Sequence, residues 1–331
     1  MTDLSVVVVN YHSAEETLAA LASVRAETRT HSYELIVVDN DEDGAGAERI
    51  RRDAPDVRVL SSEANVGFGI ACNAGMAAAR GRWILLLNPD TEILDGAIDR
   101  CLDYADSLGD PRLALVGCRH VERDGSLQIS SYPAELWPSV FTTLANNPLV
   151  GPIARRARPE FFAAKAIEAQ RARHLATHDT DAVQGSFMLV RPDVVRRTGG
   201  FDPDFFLYFE EIDWCRRIRD LGDRIIYYRD ASIVHATRRR HDDPATERQA
   251  YLSEALFVLK RQGRHACAVH IFLRHLNVVM GTLVSPLLGA DERARLRAHR
   301  RLLGFGERSW LRPMLDYGRG VRSGARALRA G

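Results

Sequence analysis

The sequence is short of several features that mark specialised protein classes. Its five cysteines (Cys72, Cys101, Cys118, Cys215, Cys267) are odd in number and scattered, with no C-x-x-C pair. Neither a disulfide framework nor a zinc site is indicated, and they read as reduced core residues. No charge of one sign dominates: 45 Lys and Arg stand against 44 Asp and Glu, for a net +1, so bulk electrostatics do not call for nucleic acid as a partner. The longest uncharged part of the apolar C-terminal stretch, Leu276 to Gly289, contains Pro286 and is shorter than the roughly 20 residues a membrane span needs. The start, Met-Thr-Asp followed at once by a strand-like run, lacks the basic segment and cleavage site of a signal peptide. The expected compartment is the cytoplasm.

What is present is a 331-residue chain with 46% hydrophobic residues, enough for one large or two ordinary domains at roughly 150 residues each. Its focus is Trp83 to Glu92, WILLLNPDTE. Ile84 to Leu87 form a continuous apolar run, as expected of a strand covered on both faces of a largely parallel sheet. Pro89 ends it. In open α/β sheets ligands collect beyond the carboxyl ends of strands, so Asn88, Asp90 and Glu92 fall where a polar ligand or metal would sit; an Asn-Pro-Asp turn uses the same residue types.

The same grammar repeats through the first third. Leu4 to Val9 is a β-branched run ending in Asn10-Tyr11-His12, and Ser13 to Glu16 has the spacing of a capping box for the helix that follows. A second strand, Leu35 to Val38, ends in Asp39-Asn40-Asp41, and a third spans Val57 to Leu60. Asn65-Val-Gly-Phe-Gly69 leads into a small-residue helix, Ile70 to Ala79, whose start offers N–H groups to an anion. A helix from about Asp95 to Leu108 follows Glu92. This alternation predicts right-handed βαβ units, an α/β fold with helices on both faces.

Further on, Asp124-Gly125 predicts a hairpin between Val121 and Leu127, so the sheet is mixed. Residues 132–181 form an irregular insert, expected on the acceptor side as a lid or substrate-binding segment. Ala182 to Val190 reads as one strand. Glu210, Glu211 and Asp213 lie in the first turn of a helix whose arginines come later, matching the helix dipole. Trp214, Ile218 and Leu221 form its apolar stripe, and Glu210, Asp213 and Arg217 share another face, where a surface ion-pair network is the simpler reading. Two strands, Arg224 to Tyr228 and Ser232 to His235, close the sheet.

Six segments, in this order, resemble family 2 glycosyltransferases, particularly the bacterial rhamnosyltransferase-like branch: VVVNYHS, VVDN, NVGFGIACNAG, LLLNPDTE, QGSFMLVR and GGFDPDFFLYFEEIDWCRRIRDLG. The resemblance covers roughly Leu4 to His235. It implies a GT-A catalytic domain over 1–245, a nucleotide-sugar donor, Mg²⁺ or Mn²⁺, and transfer with inversion. By position, Asn10, Tyr11 and Asp39 would hold the base, while Asn65 and Asn73 would lie near ribose and diphosphate. Asn88 and Asp90 stand at the DxD-like motif, with Asp90 and His235 toward the metal. Glu211 matches the base position, with Asp213 and Glu210 as competitors. Asn88 replaces the first Asp of a full DxD, Glu211 stands where Asp is more usual, and Arg238 to Arg240 replace a small loop.

The region 246–331 is expected to be helical. From Asp291 onward it carries 11 Arg against 4 acids, which suits an interfacial anchor on anionic lipid at the inner face of the cell membrane; a helix packed on the catalytic domain or in a dimer is the competing reading. The expected function is an inverting glycosyltransferase, dTDP-rhamnose favoured as donor, extending a cell-envelope or polyprenyl-diphosphate-linked glycan. A sugar nucleotidyltransferase would need a Gly-rich triphosphate loop where Asn10-Tyr11-His12 stands. An inactive glycan-binding scaffold would not need Asp39, Asp90, Glu211 and His235 together. Oligomeric state is left open.

Overall fold

The computed structural model describes residues 2–134, 137–139, 142–143, 163–236 and 244–284. Its elements run β1 (Leu4–Asn10), α1 (Ala14–Glu27), β2 (Tyr33–Asp39), α2 (Ala45–Asp53), β3 (Arg58–Ser61), α3 (Phe68–Ala78), β4 (Trp83–Leu87), β5 (Thr91–Leu94) and α4 (Ala97–Leu108). There follow β6 (Leu113–Val121), β7 (Leu127–Gln128), β8 (Ser131–Tyr132), α5 (Ala163–Arg173), β9 (His178–Thr180), β10 (Ala182–Val183) and β11 (Phe187–Val190). The last are α6 (Pro192–Thr198), α7 (Glu210–Asp220), β12 (Arg224–His235) and α8 (Pro244–Val284).

The main sheet has the order β3-β2-β1-β4-β11-β6-β12-β5. β1 runs parallel to β2 and β4, while β11 is antiparallel to both of its neighbours. All seven residues of β1 are buried, because both sheet faces are covered. Val6 and Val8 join the cluster under α1, α2 and α4, whereas Val7 and Val9 join the one under α3 and α7. The period of two along one strand thus feeds two cores.

Close packing of α3 on the sheet depends on Gly75. A Cβ there would collide with Val7 Cγ1 on β1 and come within 3.2 Å of Val38 Cγ2 on β2. Gly75→Ala is therefore expected to cost about 1–3 kcal/mol by overpacking, read as a lower midpoint in chemical denaturation with unchanged slope.

Several local expectations are corrected. Ser13 makes no side-chain cap on α1; its hydroxyl donates to Asn10 Oδ1 instead, at 3.3 Å. Ala182 to Val190 is broken into β10 and β11, which belong to different sheets. The two closing strands are one, β12, with a register shift between Tyr228 and Ser232. Leu221 is 50% exposed at the end of α7, since the helix terminates there. Glu92 is exposed on β5 rather than at a ligand site. The asparagine-glycine-bearing stretch before α3, the Asp124-Gly125 hairpin and the apolar face of α4 are as expected.

α8 consists of two helices that meet at a kink at Gly263, whose φ of 83° breaks the helical path. Its first half packs on the sheet domain: Phe257 is buried among Trp137 and Phe209, and Lys260 lies 2.7 Å from both Asp202 and Asp204. No helix among the described residues is long and apolar enough to cross a membrane. The arginine-rich segment from Asp291 and the Arg238 to Arg240 loop lie outside the described residues, as does much of the 132–181 insert.

Candidate active site

A cavity of about 600 Å³ opens along the edge of the sheet where β1, β2, β4 and β12 end and β11 begins. That size suits a small-molecule ligand. Because β11 runs against β4, pairing Phe187 with Leu87, the Gln184-Gly185-Ser186 turn arrives beside Asn88-Pro89-Asp90. Tyr11, Asn65, Asn88, Asp90, Glu210, Glu211 and His235 all line the cavity. A smaller cavity near Arg82 and Arg191 gathers none of the candidate residues.

At one pole, β5 pairs antiparallel with β12 so that His235 faces Thr91, and the Ala236 amide donates to Asp90 O. This register sets His235 Nε2 3.5 Å from Asp90 Oδ1. His235 is 7% exposed, and burial pushes its pKa below the usual range although Asp90 and Glu122 oppose the shift. One divalent ion with hard oxygen ligands at about 2.1 Å can reach both groups. Among the described residues no group of three or more His, Cys, Asp or Glu gathers to hold a metal, so an ion there would need oxygens from a bound diphosphate to complete its shell.

At the other pole, Tyr208 and Phe209 both adopt left-handed backbone, with φ of 69° and 68°, a strain of order 1–3 kcal/mol per residue. It is held in place by α8. Ser253 Oγ donates to Leu207 O at 2.7 Å, and Phe209 lies against Phe257. The consequence is that α7 begins at the cavity wall with two adjacent carboxylates. Glu210 is 4% exposed and its Oε2 has no hydrogen-bond partner; burial, then the neighbouring Glu211 charge, raises its pKa far above the usual value. Burial also raises Glu211, but its carboxylate is offset by N–H groups of the first helical turn, its own and that of Ile212. Both carboxyls are raised, Glu210 the further of the two, as suits a pair in which one group gives up its proton before the other.

Four expected residues are placed elsewhere. Asn10 and Asp39 are fully buried, one position inward of Tyr11 and Asn40, and Asn10 Nδ2 donates to Asp39 Oδ1 and to Asp41 Oδ2. Asp39 Oδ2 is a buried acceptor without a partner, and burial raises the Asp39 pKa. Asn73 does not reach the cavity: its side chain clamps the backbone of Phe201, donating to O at 2.8 Å and accepting from N at 2.9 Å. Asp213 is buried under Arg217 and Arg261, each 2.8 Å away, and the expected Glu210–Arg217 surface pair is not what α7 uses Arg217 for.

The family model for glycosyl transferase family 2 matches residues 5–161. The N-acetylglucosaminyl-diphospho-decaprenol L-rhamnosyltransferase of Mycobacterium tuberculosis (strain ATCC 25618 / H37Rv) is 30% identical over 267 residues, covering 76% of this chain and 82% of that protein. The chain belongs to glycosyl transferase family 2. The glycosyltransferase is also similar to rhamnosyltransferase WbbL of Escherichia coli (strain K12), 41% identical over 63 residues, which is 19% of this chain and 23% of the other. Among solved structures, the mannosyltransferase PcManGT from Pyrobaculum calidifontis in complex with GDP-Man and Mn²⁺ superposes with a TM-score of 0.54 at 16% identity, covering 100% of this chain and 88% of that one. The fold of the glycosyltransferase is GT-A.

Two residues of this glycosyltransferase's site escaped the sequence reading. Gln184 lines the cavity with Oε1 3.1 Å from His120 Nδ1. The His120 pKa is driven down to about 3 by burial, so the ring is neutral. Gln128 meets His235 from 107 positions away; only the β6–β7 hairpin brings it there. Asp213→Asn is expected to destabilise by about 3 kcal/mol, the low end for breaking a buried pair because both arginines remain about a quarter exposed. Thermal unfolding in the absence of substrate measures it.

Proposed function

We propose that this glycosyltransferase moves a sugar with inversion from a nucleoside-diphosphate donor, dTDP-rhamnose being favoured, to a polyprenyl-diphosphate-linked or other cell-envelope glycan. The observation that carries the reading is the two-pole cavity, lined by Asp90 and His235 at one end and by Glu211 at the other. Mg²⁺ or Mn²⁺ held by Asp90 and His235 would offset the charge growing on the leaving diphosphate. Tyr11, which lines the cavity, offers its ring to the base. Asn65 and Asn88 offer amides along the path to the diphosphate. Glu211 takes the proton of the acceptor hydroxyl as its oxygen bonds to the anomeric carbon, and the electron pair of the breaking bond leaves on the diphosphate. Attack opposite the leaving group inverts the centre.

The rhamnosyl donor and the lipid-linked acceptor are supported by the similarity to the M. tuberculosis L-rhamnosyltransferase, whose name specifies both the sugar and a diphospho-decaprenol acceptor. The test is to supply dTDP-rhamnose, Mn²⁺ and a polyprenyl-diphosphate-linked N-acetylglucosamine, and to look by mass spectrometry for gain of one deoxyhexose. Gain of a hexose from UDP-glucose or UDP-galactofuranose, or of N-acetylglucosamine, would keep the glycosyltransferase reading and overturn the donor.

In this reading residues 1–245 are the catalytic domain and 246–331 a basic, membrane-associating region at the cytoplasmic face. Val269 and Phe272, on the second half of α8, are 45% and 64% exposed, leaving apolar surface ahead of the arginine-rich segment. The protein is expected to sediment with anionic vesicles at low salt and to be partly released at high salt, as screening weakens the basic contribution. Absence of sedimentation would favour a helix packed wholly on protein.

A further inference from the structure

Gln128 belongs to no motif, yet three of its hydrogen bonds determine which nitrogen of His235 carries the proton. Its Nε2 donates to Glu122 Oε1 at 2.6 Å and to the His235 carbonyl at 3.1 Å. A carboxylate and a carbonyl only accept, so they require the NH₂ side of the amide. The Oε1 side must then face His235 Nδ1, 3.0 Å away. An amide oxygen is no donor, so Nδ1 bears the hydrogen. In the neutral imidazole that leaves Nε2 as a bare lone pair, and Nε2 is the atom 3.5 Å from Asp90 Oδ1. Two acceptors facing each other at this distance repel unless a cation lies between them.

We propose that Gln128, oriented by Glu122, is a positioning residue that locks His235 as its Nδ1–H tautomer and presents the Nε2 lone pair beside Asp90 for a divalent cation. The proposal rests on the metal reading of Asp90 and His235. The device is short-range: β7 pairs with β6, His120 opposite Gln128 and Val121 opposite Leu127, and Glu122 and Gln128 flank the Asp124-Gly125 turn. The hairpin carries its own acceptor and amide to the end of β12. Partners of this kind, which orient the other ring nitrogen of a metal-bound histidine, typically change metal affinity by about 10- to 100-fold when removed.

Two measurements test it. Long-range ¹H–¹⁵N correlation spectra of the metal-free full chain, with His235 assigned by its loss in His235→Gln, are expected to show the Nδ1–H tautomer; an Nε2–H tautomer overturns the proposal whatever the metal does. Mn²⁺ affinity is then followed by electron paramagnetic resonance in the presence of dTDP. Gln128→Leu, at a half-buried hairpin position, is expected to weaken Mn²⁺ by about 10- to 100-fold with unchanged thermal unfolding. The exchange Glu122→Gln with Gln128→Glu keeps an acceptor for the Nδ1 hydrogen and a donor–acceptor pair across the hairpin but loses the donation to the His235 carbonyl, so it is expected to recover part of the loss. Wild-type Mn²⁺ affinity in Gln128→Leu overturns the proposal. Should the tautomer be as expected while His235→Gln binds Mn²⁺ as tightly as wild type, the metal role of His235 fails and the positioning role toward metal fails with it.

Discussion

Glu211→Gln is expected to keep donor affinity and to lose transfer by roughly 10²- to 10⁴-fold, the usual worth of a general base. Donor binding is expected to survive because, on the proposed reading, Asp90 and His235 at the other pole of the cavity serve the diphosphate end. Transfer falls because an amide cannot take the acceptor proton. Burial raises the Glu211 pKa above the ordinary glutamate value, and the base works only when ionised. The wild-type rate is therefore expected to rise with pH through a midpoint above that value, and this limb should vanish in the variant.

The neighbouring carboxylates supply the controls. Burial raises the Glu210 pKa well above the usual range, so Glu210→Gln mimics the form that burial favours and is expected to cost far less activity. The linkage sign is definite. A carboxyl whose folded pKa is raised binds its proton more tightly folded than unfolded, so its contribution to stability is present below the unfolded pKa and lost as pH rises through the folded one. Glu210→Gln removes that loss and should not destabilise the protein at neutral pH. Asp213→Asn should lower stability while leaving the folded enzyme active. Near wild-type transfer in Glu211→Gln with a folded but dead Asp213→Asn would move the base to Asp213, against its burial under two arginines.

Asp90→Ala is expected to reduce transfer to background and to abolish metal-dependent donor binding, with thermal unfolding essentially unchanged. The carboxylate is 24% exposed beyond the end of β4, outside either core cluster, and the β5–β12 link uses its main-chain oxygen. That bond persists in alanine. Asn88→Asp is expected to be tolerated, since it adds an oxygen ligand of the same size at the cavity wall. Full wild-type activity in excess EDTA would contradict the metal assignment that both substitutions probe.

The fold was legible because its strands carry the period and the burial that a covered parallel sheet demands; Ile84 to Leu87 announce both, and the polar residues at each strand end mark one edge. What the sequence could not show was which polar residue at that edge faces outward. Asn10 and Asp39 bond to each other across β1 and β2 because Asn10 is in register with Asp39, and that pairing is a property of the sheet rather than of either motif. Asn73 lies on a glycine-rich helix and looked ligand-facing, yet Gly200 and Phe201, 128 positions away for the latter, occupy it. Asp213 and Glu211 are two residues apart and point to opposite sides of one helix wall. Gln128 was invisible for the same reason: its partner arrives through a hairpin and a distant strand, and no local period records that meeting.

The central claim is that this cavity binds a sugar nucleotide through a divalent ion and breaks its glycosyl–phosphate bond. The measurement that tests it most directly is release of free nucleoside diphosphate from a panel of dTDP- and UDP-sugars by the full chain with Mn²⁺. Slow release from one donor, dTDP-rhamnose first, is expected, suppressed by EDTA and absent in Asp90→Ala. No release and no binding of any donor in the panel, or release indifferent to both EDTA and Asp90, would contradict it.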